Sequence, residues 1–246
     1  MTRQRNHYAN IILNRRRSRA FSCGYYERFD PFLLDRKPFL RPAYERLFQT
    51  CFPQKVGTIV DMGCGTGLYW PVLRQHCERL IGVDASPEMI AEADRLVAAK
   101  SLTGVQTLVR PLETLRLPGV RVDAVVSIDA LHHVDEPALV VASIAELLRP
   151  GGRMCVLEPN VANPLVLLAH LLPAEERRAV ARNFPPVLRA RFAGPFQNIR
   201  TEYLNFVASA SSTGQVEFVA RIDRLLGRCP WLRPLSLRQL LTMERR

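Results

Sequence analysis

Between residues 56 and 160 the chain alternates short apolar runs with segments of helical periodicity. The runs fall at 57–61, 79–84, 105–109, 122–128 and 153–158, and segments 68–77, 87–99 and 137–148 repeat apolar side chains at three- and four-residue spacing. Strands interleaved with helices predict a parallel sheet covered on both faces. The flanks read differently. Residues 1–20 predict a flexible basic tail. Residues 21–55 carry Tyr25, Tyr26, Phe29, Phe32, Leu33, Leu34, Leu40, Tyr44, Leu47 and Phe48, a spacing that suits one or two helices.

After Asn160 the alternation stops. Asn163 to Pro173 is a short, very apolar helical stretch, and Ala174 to Asn183 a charged one. Residues 161–196 therefore predict a helical cap. Residues 200–207 alternate as a strand, 214–226 form an amphipathic helix, and 235–243 supply a closing strand, so 197–246 complete the sheet.

At 246 residues, with 48% hydrophobic and 23% charged content, the chain can bury one substantial core. No uninterrupted apolar run approaches the ~20 residues that span a bilayer. The six cysteines show no C-x-x-C spacing and no histidine cluster, so no metal site is expected. Cys64 and Cys155 read as small apolar fillers, and a reducing cytoplasm suits them. The net charge of +11 rests on arginine, because Lys37, Lys55 and Lys100 are the only lysines. Arginines gather at Arg3, Arg5, Arg15, Arg16, Arg17 and Arg19, and again at Arg177, Arg178, Arg182, Arg189 and Arg191. Such patches suit an anionic surface such as lipid headgroups.

The candidate chemistry begins at the end of the first strand. Thr58-Ile-Val-Asp61-Met-Gly63-Cys64-Gly65-Thr-Gly67 leads an apolar strand into a loop with glycine at alternate positions. Glycine admits backbone turns and close ligand approach that a Cβ would forbid. The helix expected behind the loop would offer unpaired N–H groups. Seventeen residues past Gly67, the second strand ends in Asp84, a position from which an acid binds the hydroxyls of a ribose. Ser86 then reads as a helix N-cap, with Pro87 at the first helical position. The D-x-G-x-G-x-G spacing differs from the dinucleotide pattern G-x-G-x-x-G.

Two further signals follow in order: Ser127-Ile-Asp129-Ala-Leu-His132-His133-Val, then Leu148-Arg-Pro-Gly151-Gly152 before the strand ending in Glu158. Together these motifs closely resemble the class I S-adenosylmethionine-dependent methyltransferases, and within them the small-molecule, quinone-type branch. The resemblance covers about residues 20 to 160. It implies a Rossmann-like, doubly wound sheet of seven strands, mostly parallel, with the last strand reversed. It implies S-adenosylmethionine as cofactor, held by Asp61, Gly63, Cys64, Gly65 and Gly67 at its amino-acid end. Asp84 would hold the ribose and Met89, Leu112 and Glu113 the adenine, with Ala85, Ser127 and Asp129 as further cofactor-binding positions and Tyr26 folding over. The adenine stretch departs from the family pattern, because Pro111 stands where a side chain often bonds the adenine amino group.

The acceptor would approach the carboxyl ends of the strands. His132 or His133 is a candidate base, and Glu158 or Asn160 would orient the acceptor. The resemblance thus implies O- or C-methylation of a small lipophilic acceptor by a cytoplasmic enzyme, with peripheral membrane contact through the cap. An RNA or protein methyltransferase is the alternative that the positive charge favours, although no RNA-binding module is recognisable. A non-methylating cofactor-binding enzyme, performing cyclisation or rearrangement, is the other.

Overall fold

In the computed structural model, residues 29–171, 177–205 and 216–246 are described. The residues before 29 lie outside them, and with them the expectations for the basic tail and Tyr26. Two helices open the described chain, α1 (Leu33–Arg36) and α2 (Arg41–Cys51). Then come β1 (Val56–Met62), α3 (Trp70–Leu73), β2 (Cys77–Asp84), α4 (Pro87–Ala99), β3 (Val105–Val109), β4 (Val122–Ile128), α5 (Pro137–Leu147) and β5 (Leu148–Pro159). Three helices follow, α6 (Pro164–Leu171), α7 (Arg177–Asn183) and α8 (Pro185–Phe192), before β6 (Phe196–Leu204), α9 (Val216–Arg228) and β7 (Arg238–Arg245).

The seven strands form one sheet in the order β3-β2-β1-β4-β5-β7-β6. Strands β1 to β5 pair in parallel, and β7 runs antiparallel to both β5 and β6. This is the doubly wound sheet with a reversed last strand. The order turns back between β1 and β4, and ligands of open α/β sheets bind at such a switch point, outside the carboxyl ends of the strands.

Apolar side chains fill both faces. Along β1, Val60 and Met62 join one cluster with Val83, Val125 and Val156, while Ile59 joins the other with Leu80, Ala124, Val126 and Cys155. Successive strand residues face opposite sides, so a sheet buried on both needs continuous apolar runs.

Two expectations need correction. The helix expected over 68–77 is a single turn, α3, continued by a 3-10 turn at Arg74–His76, and β2 already begins at Cys77. The side chains of Tyr69 and Trp70 reach back to Asp61 of β1, which holds this segment against the sheet and leaves too few residues for a longer helix. The fifth strand, expected from 153, begins at Leu148. Its Arg-Pro-Gly-Gly stretch is an irregularity within the strand, where the pairing steps from Val122–Leu148 to Ala124–Arg153. Gly151 makes that step at φ +72°, a left-handed conformation that glycine adopts without strain.

Candidate active site

The glycine loop leaves β1 with Gly63, Gly65 and Gly67 at φ +76°, +54° and +67°. At Gly63 a Cβ would stand 2.2 Å from the Cβ of Ala130, so the loop there is pressed against the segment that follows β4. Its amides turn inward. Those of Gly63 and Cys64 donate to the carbonyl of Val83 at 2.8 and 3.1 Å, that of Gly65 to Asp84 Oδ2 at 2.9 Å, and that of Gly67 to the carbonyl of Cys64 at 3.0 Å. No unpaired amide is left at these four loop residues. A phosphate needs such donors; a nucleoside without phosphate does not. Nothing lies within 4 Å of where a Gly65 Cβ would stand, so the loop faces open space there. Exposed Ala85 adjoins Asp84.

Asp84 is half-buried at the tip of β2, and its Oδ1 accepts from the Ser86 amide at 2.9 Å. Burial raises its pKa, against the lowering effect of the amides of Ser86 and Gly65. Each carboxylate oxygen has room for a second donor, so Asp84 retains acceptor capacity for a diol. Ser86 caps α4 by accepting from the Met89 amide at 3.3 Å, and Met89 is buried behind it. The groups present thus fit a phosphate-free nucleoside such as S-adenosylmethionine.

Asp61 is fully buried. Its oxygens accept from the Tyr69 hydroxyl at 3.0 Å and the Trp70 indole N–H at 2.7 Å. Burial pushes its carboxyl up to about 7, with those two donors pulling the other way. Tyr69 in turn stacks on Tyr44 of α2, ring centroids 5.9 Å apart. Asp61 therefore braces the loop from beneath, an arrangement that the sequence reading did not include. Ser127 is likewise fully buried and donates to the Met62 carbonyl at 2.9 Å, bonding β4 to β1. Leu112 is buried, and Glu113 accepts from the Asp135 amide at 3.1 Å. Asp129 ends β4 in the left-handed conformation, φ +53°, and pairs with Arg238 of β7 at 2.6 Å.

At the carboxyl end of β5 three groups converge on the fully buried Glu158. The Leu131 amide donates to Oε1 at 2.8 Å, Asn183 Nδ2 donates to Oε2 at 3.3 Å, and His132 Nδ1 makes a short contact with Oε2. His133 lies against His132, ring centroids 3.8 Å apart, and His170 of α6 approaches edge-on at 6.1 Å. Of the two histidines, His132 is the buried one, while His133 is half-buried. Asn160 instead serves the framework: its Nδ2 donates to the carbonyls of Arg233 and Ser236, both at 3.1 Å. Asn183 and Arg238 escaped sequence reading because they lie 25 and 109 residues from their partners, in segments without a motif.

Two surface cavities, of about 490 and 640 Å³, open elsewhere, one beside Arg189, Phe196 and Arg246 and the other beside Arg116, Pro118 and Leu147. Both adjoin the amino ends of the parallel strands, opposite this site.

Comparison with known proteins agrees with this geometry. Residues 60–156 match the family described as a methyltransferase domain. The matched segment and the fold resemble those of the class I S-adenosylmethionine-dependent methyltransferases, and the groups at the site fit that cofactor. A ubiquinone biosynthesis O-methyltransferase of Xylella fastidiosa is 30% identical over 153 residues, covering 61% of this chain and 60% of the relative. The match therefore leaves about two fifths of that relative uncovered. In structure, the N-methyltransferase NodS of Bradyrhizobium japonicum, solved with S-adenosylhomocysteine, has a TM-score of 0.61 at 16% identity and covers 96% of this chain and 98% of its own. The [4+2]-cyclase SpnF has a TM-score of 0.56 at 15% identity, covering 82% and 79%. At these identities the likeness is one of fold, and this fold carries more than one reaction.

Proposed function

We propose that this protein O-methylates a small, lipophilic phenolic acceptor, with His132 as general base. The observation that carries this reading is the His132–Glu158 pair. An ionised carboxylate only accepts hydrogen bonds, so one receiving His132 Nδ1 requires the ring hydrogen there. That tautomer places the basic lone pair on Nε2. His133 lies against the same ring, tilted at 45° with centroids 3.8 Å apart. A phenolic hydroxyl keeps its proton near neutrality, so a base accelerates its attack.

S-adenosylmethionine, when bound, supplies a methyl group on a sulfonium as electrophile. The protein's own tasks are positioning and proton transfer. Asp84 holds the ribose, Met89 and Leu112 flank the adenine, and the glycine loop lets the backbone approach the amino-acid end. Holding the acceptor oxygen in line at about 3 Å supplies a large share of the acceleration. His132 Nε2 would take the hydroxyl proton as the acceptor oxygen receives the methyl group that the cofactor would supply.

Residues 161–196 are the lid over the acceptor in this reading, and they also offer a surface to an anionic bilayer. On α6, Leu165, Leu168 and Leu171 are 72%, 56% and 42% exposed. Beside them lies the Pro230–Leu235 turn, held by Asn163 Nδ2 on the Leu235 carbonyl at 2.7 Å, with Trp231 89% exposed. Arg177, which bonds the Leu171 carbonyl, and Arg233 flank this apolar patch. Leucine, tryptophan and arginine on one face suit a membrane–water interface. Among the described residues no helix is long and apolar enough to cross a membrane.

The test is formation of S-adenosylhomocysteine from S-adenosylmethionine with lipophilic catechols as acceptors. Wild type should form it, and His132→Gln should be about 10²–10⁴-fold slower with cofactor binding retained. Conversion of an acceptor without S-adenosylhomocysteine would replace this reading with the non-methylating one.

A further inference from the structure

The end of α7 reaches into the catalytic pair. Asn183, its last residue, is fully buried although it belongs to the inserted helices. Its Nδ2 donates to Glu158 Oε2, the same oxygen that His132 contacts. Three further contacts hold it there. Gln239 of β7 donates to the Asn183 carbonyl at 2.6 Å, and Arg182 donates to the carbonyls of Val134 and, at 3.2 Å, Asp135. Asn183 Oδ1 is buried without a hydrogen-bond partner among the described residues. An unmet buried acceptor is destabilising, and an apolar side chain of this shape would avoid that cost.

We infer that Asn183 is a positioning residue through which the lid sets the proton affinity of His132. The inference rests on the reading of His132 as base. An amide N–H aimed at Glu158 Oε2 brings the positive end of a dipole to the carboxylate's contact with the imidazole. That favours the ionised carboxylate and the Nδ1–H tautomer, and opposes a positive charge on the ring. With α7 docked, His132 is held neutral and able to take a proton; with α7 displaced, the lone carboxylate draws a proton onto the ring. The charged and titratable groups around the pair are Glu158 of β5, His133 and Asp135 beside the ring, His170 of α6, Arg182 of α7 and Arg191 of α8. Arg191 is held below the usual guanidinium range by burial and by neighbouring Arg182, with Glu158 opposing, so these charges sense one another. Both arginines add to the positive potential that keeps His132 neutral.

The test is a nitrogen-15 NMR titration of His132 in the full chain, assigned by loss of its signals in His132→Gln. Asn183→Leu keeps the side chain's shape without its donor. Arg182→Lys keeps the charge but removes the guanidinium fork that ties the end of α7 to the carbonyls of Val134 and Asp135, and it carries the test alone if Asn183→Leu does not fold. Wild type is expected to show the Nδ1–H tautomer. Each variant is expected to raise the protonation midpoint of His132 by about one pH unit, a tenfold gain in proton affinity. An unchanged midpoint and tautomer in every folded variant would overturn the role of Asn183 and leave His132 as base. A wild-type ring in the Nε2–H tautomer would overturn the base reading itself.

Discussion

The backbone amide of Gly65 donates to Oδ2 of Asp84 at 2.9 Å, joining the loop after β1 to the acid at the tip of β2. One carboxylate thus shapes the loop and, in the proposed site, receives the ribose. Replacing it by alanine leaves the amides of Gly65 and Ser86 without their acceptor, at about 1–3 kcal/mol each. Asp84→Ala should therefore weaken S-adenosylmethionine and S-adenosylhomocysteine binding by at least about tenfold, measured by calorimetry. Equal affinity in the variant would remove Asp84 from the site.

Gly63→Ala is expected to destabilise the fold by about 2–5 kcal/mol. A left-handed conformation costs a non-glycine residue about 1–2 kcal/mol, and overpacking against the Ala130 Cβ adds about 1–3. Urea unfolding reads this directly. Gly82→Ala should be comparably damaging for a purely steric reason, since its Cβ would stand 2.2 Å from the Trp70 ring.

Asp61 gives stability a pH dependence of definite sign. Its carboxyl titrates near 3.8 when exposed and near 7 when buried here. Between those values the folded chain binds more protons than the unfolded one, so stability falls as pH rises. The contribution is complete below 3.8 and is lost once pH has passed about 7. Asp61→Asn should flatten this slope, so that the variant's stability relative to wild type improves from acid to neutral pH. A difference that is constant with pH would contradict the assignment.

Ser127→Ala separates framework from ligand contact. Its hydroxyl bonds the Met62 carbonyl in the interior, so the loss should appear as about 1 kcal/mol of unfolding free energy. Cofactor affinity should change far less than in Asp84→Ala. A loss of affinity comparable to that of Asp84→Ala would return Ser127 to the binding surface.

Trp231 offers a reporter for membrane contact. The chain has two tryptophans, and Trp70 is fully buried. Phosphatidylglycerol vesicles should shift Trp231 emission to the blue, with the shift reduced by added salt and by Leu168→Asp. No shift with any vesicle would leave this face without a lipid role.

Local sequence alone determined a great deal. Continuous apolar runs cannot be half-solvated, so a sheet covered on both faces followed from burial. The glycine spacing and the acid seventeen residues on marked the proposed nucleoside site, because backbone conformation and strand-end position are local properties. Pro87 behind Ser86 marked the start of α4, and the N-cap bond is present. Tertiary structure decided what each polar group is for. Asp61 sits in the most regular motif of the chain, yet its acceptors are used by Tyr69 and Trp70 beneath the loop. The loop amides, free in an isolated strand-loop-helix unit, are taken by Val83 and Asp84 of the neighbouring strand. His132 and His133 are equivalent as letters, and only the packing of β5 and α7 distinguishes them by bringing Glu158 and Asn183 to one ring. The division has one physical cause. Conformational preference and burial periodicity act over a few residues, whereas hydrogen bonds form between whichever groups the fold brings together, however far apart they lie in the chain.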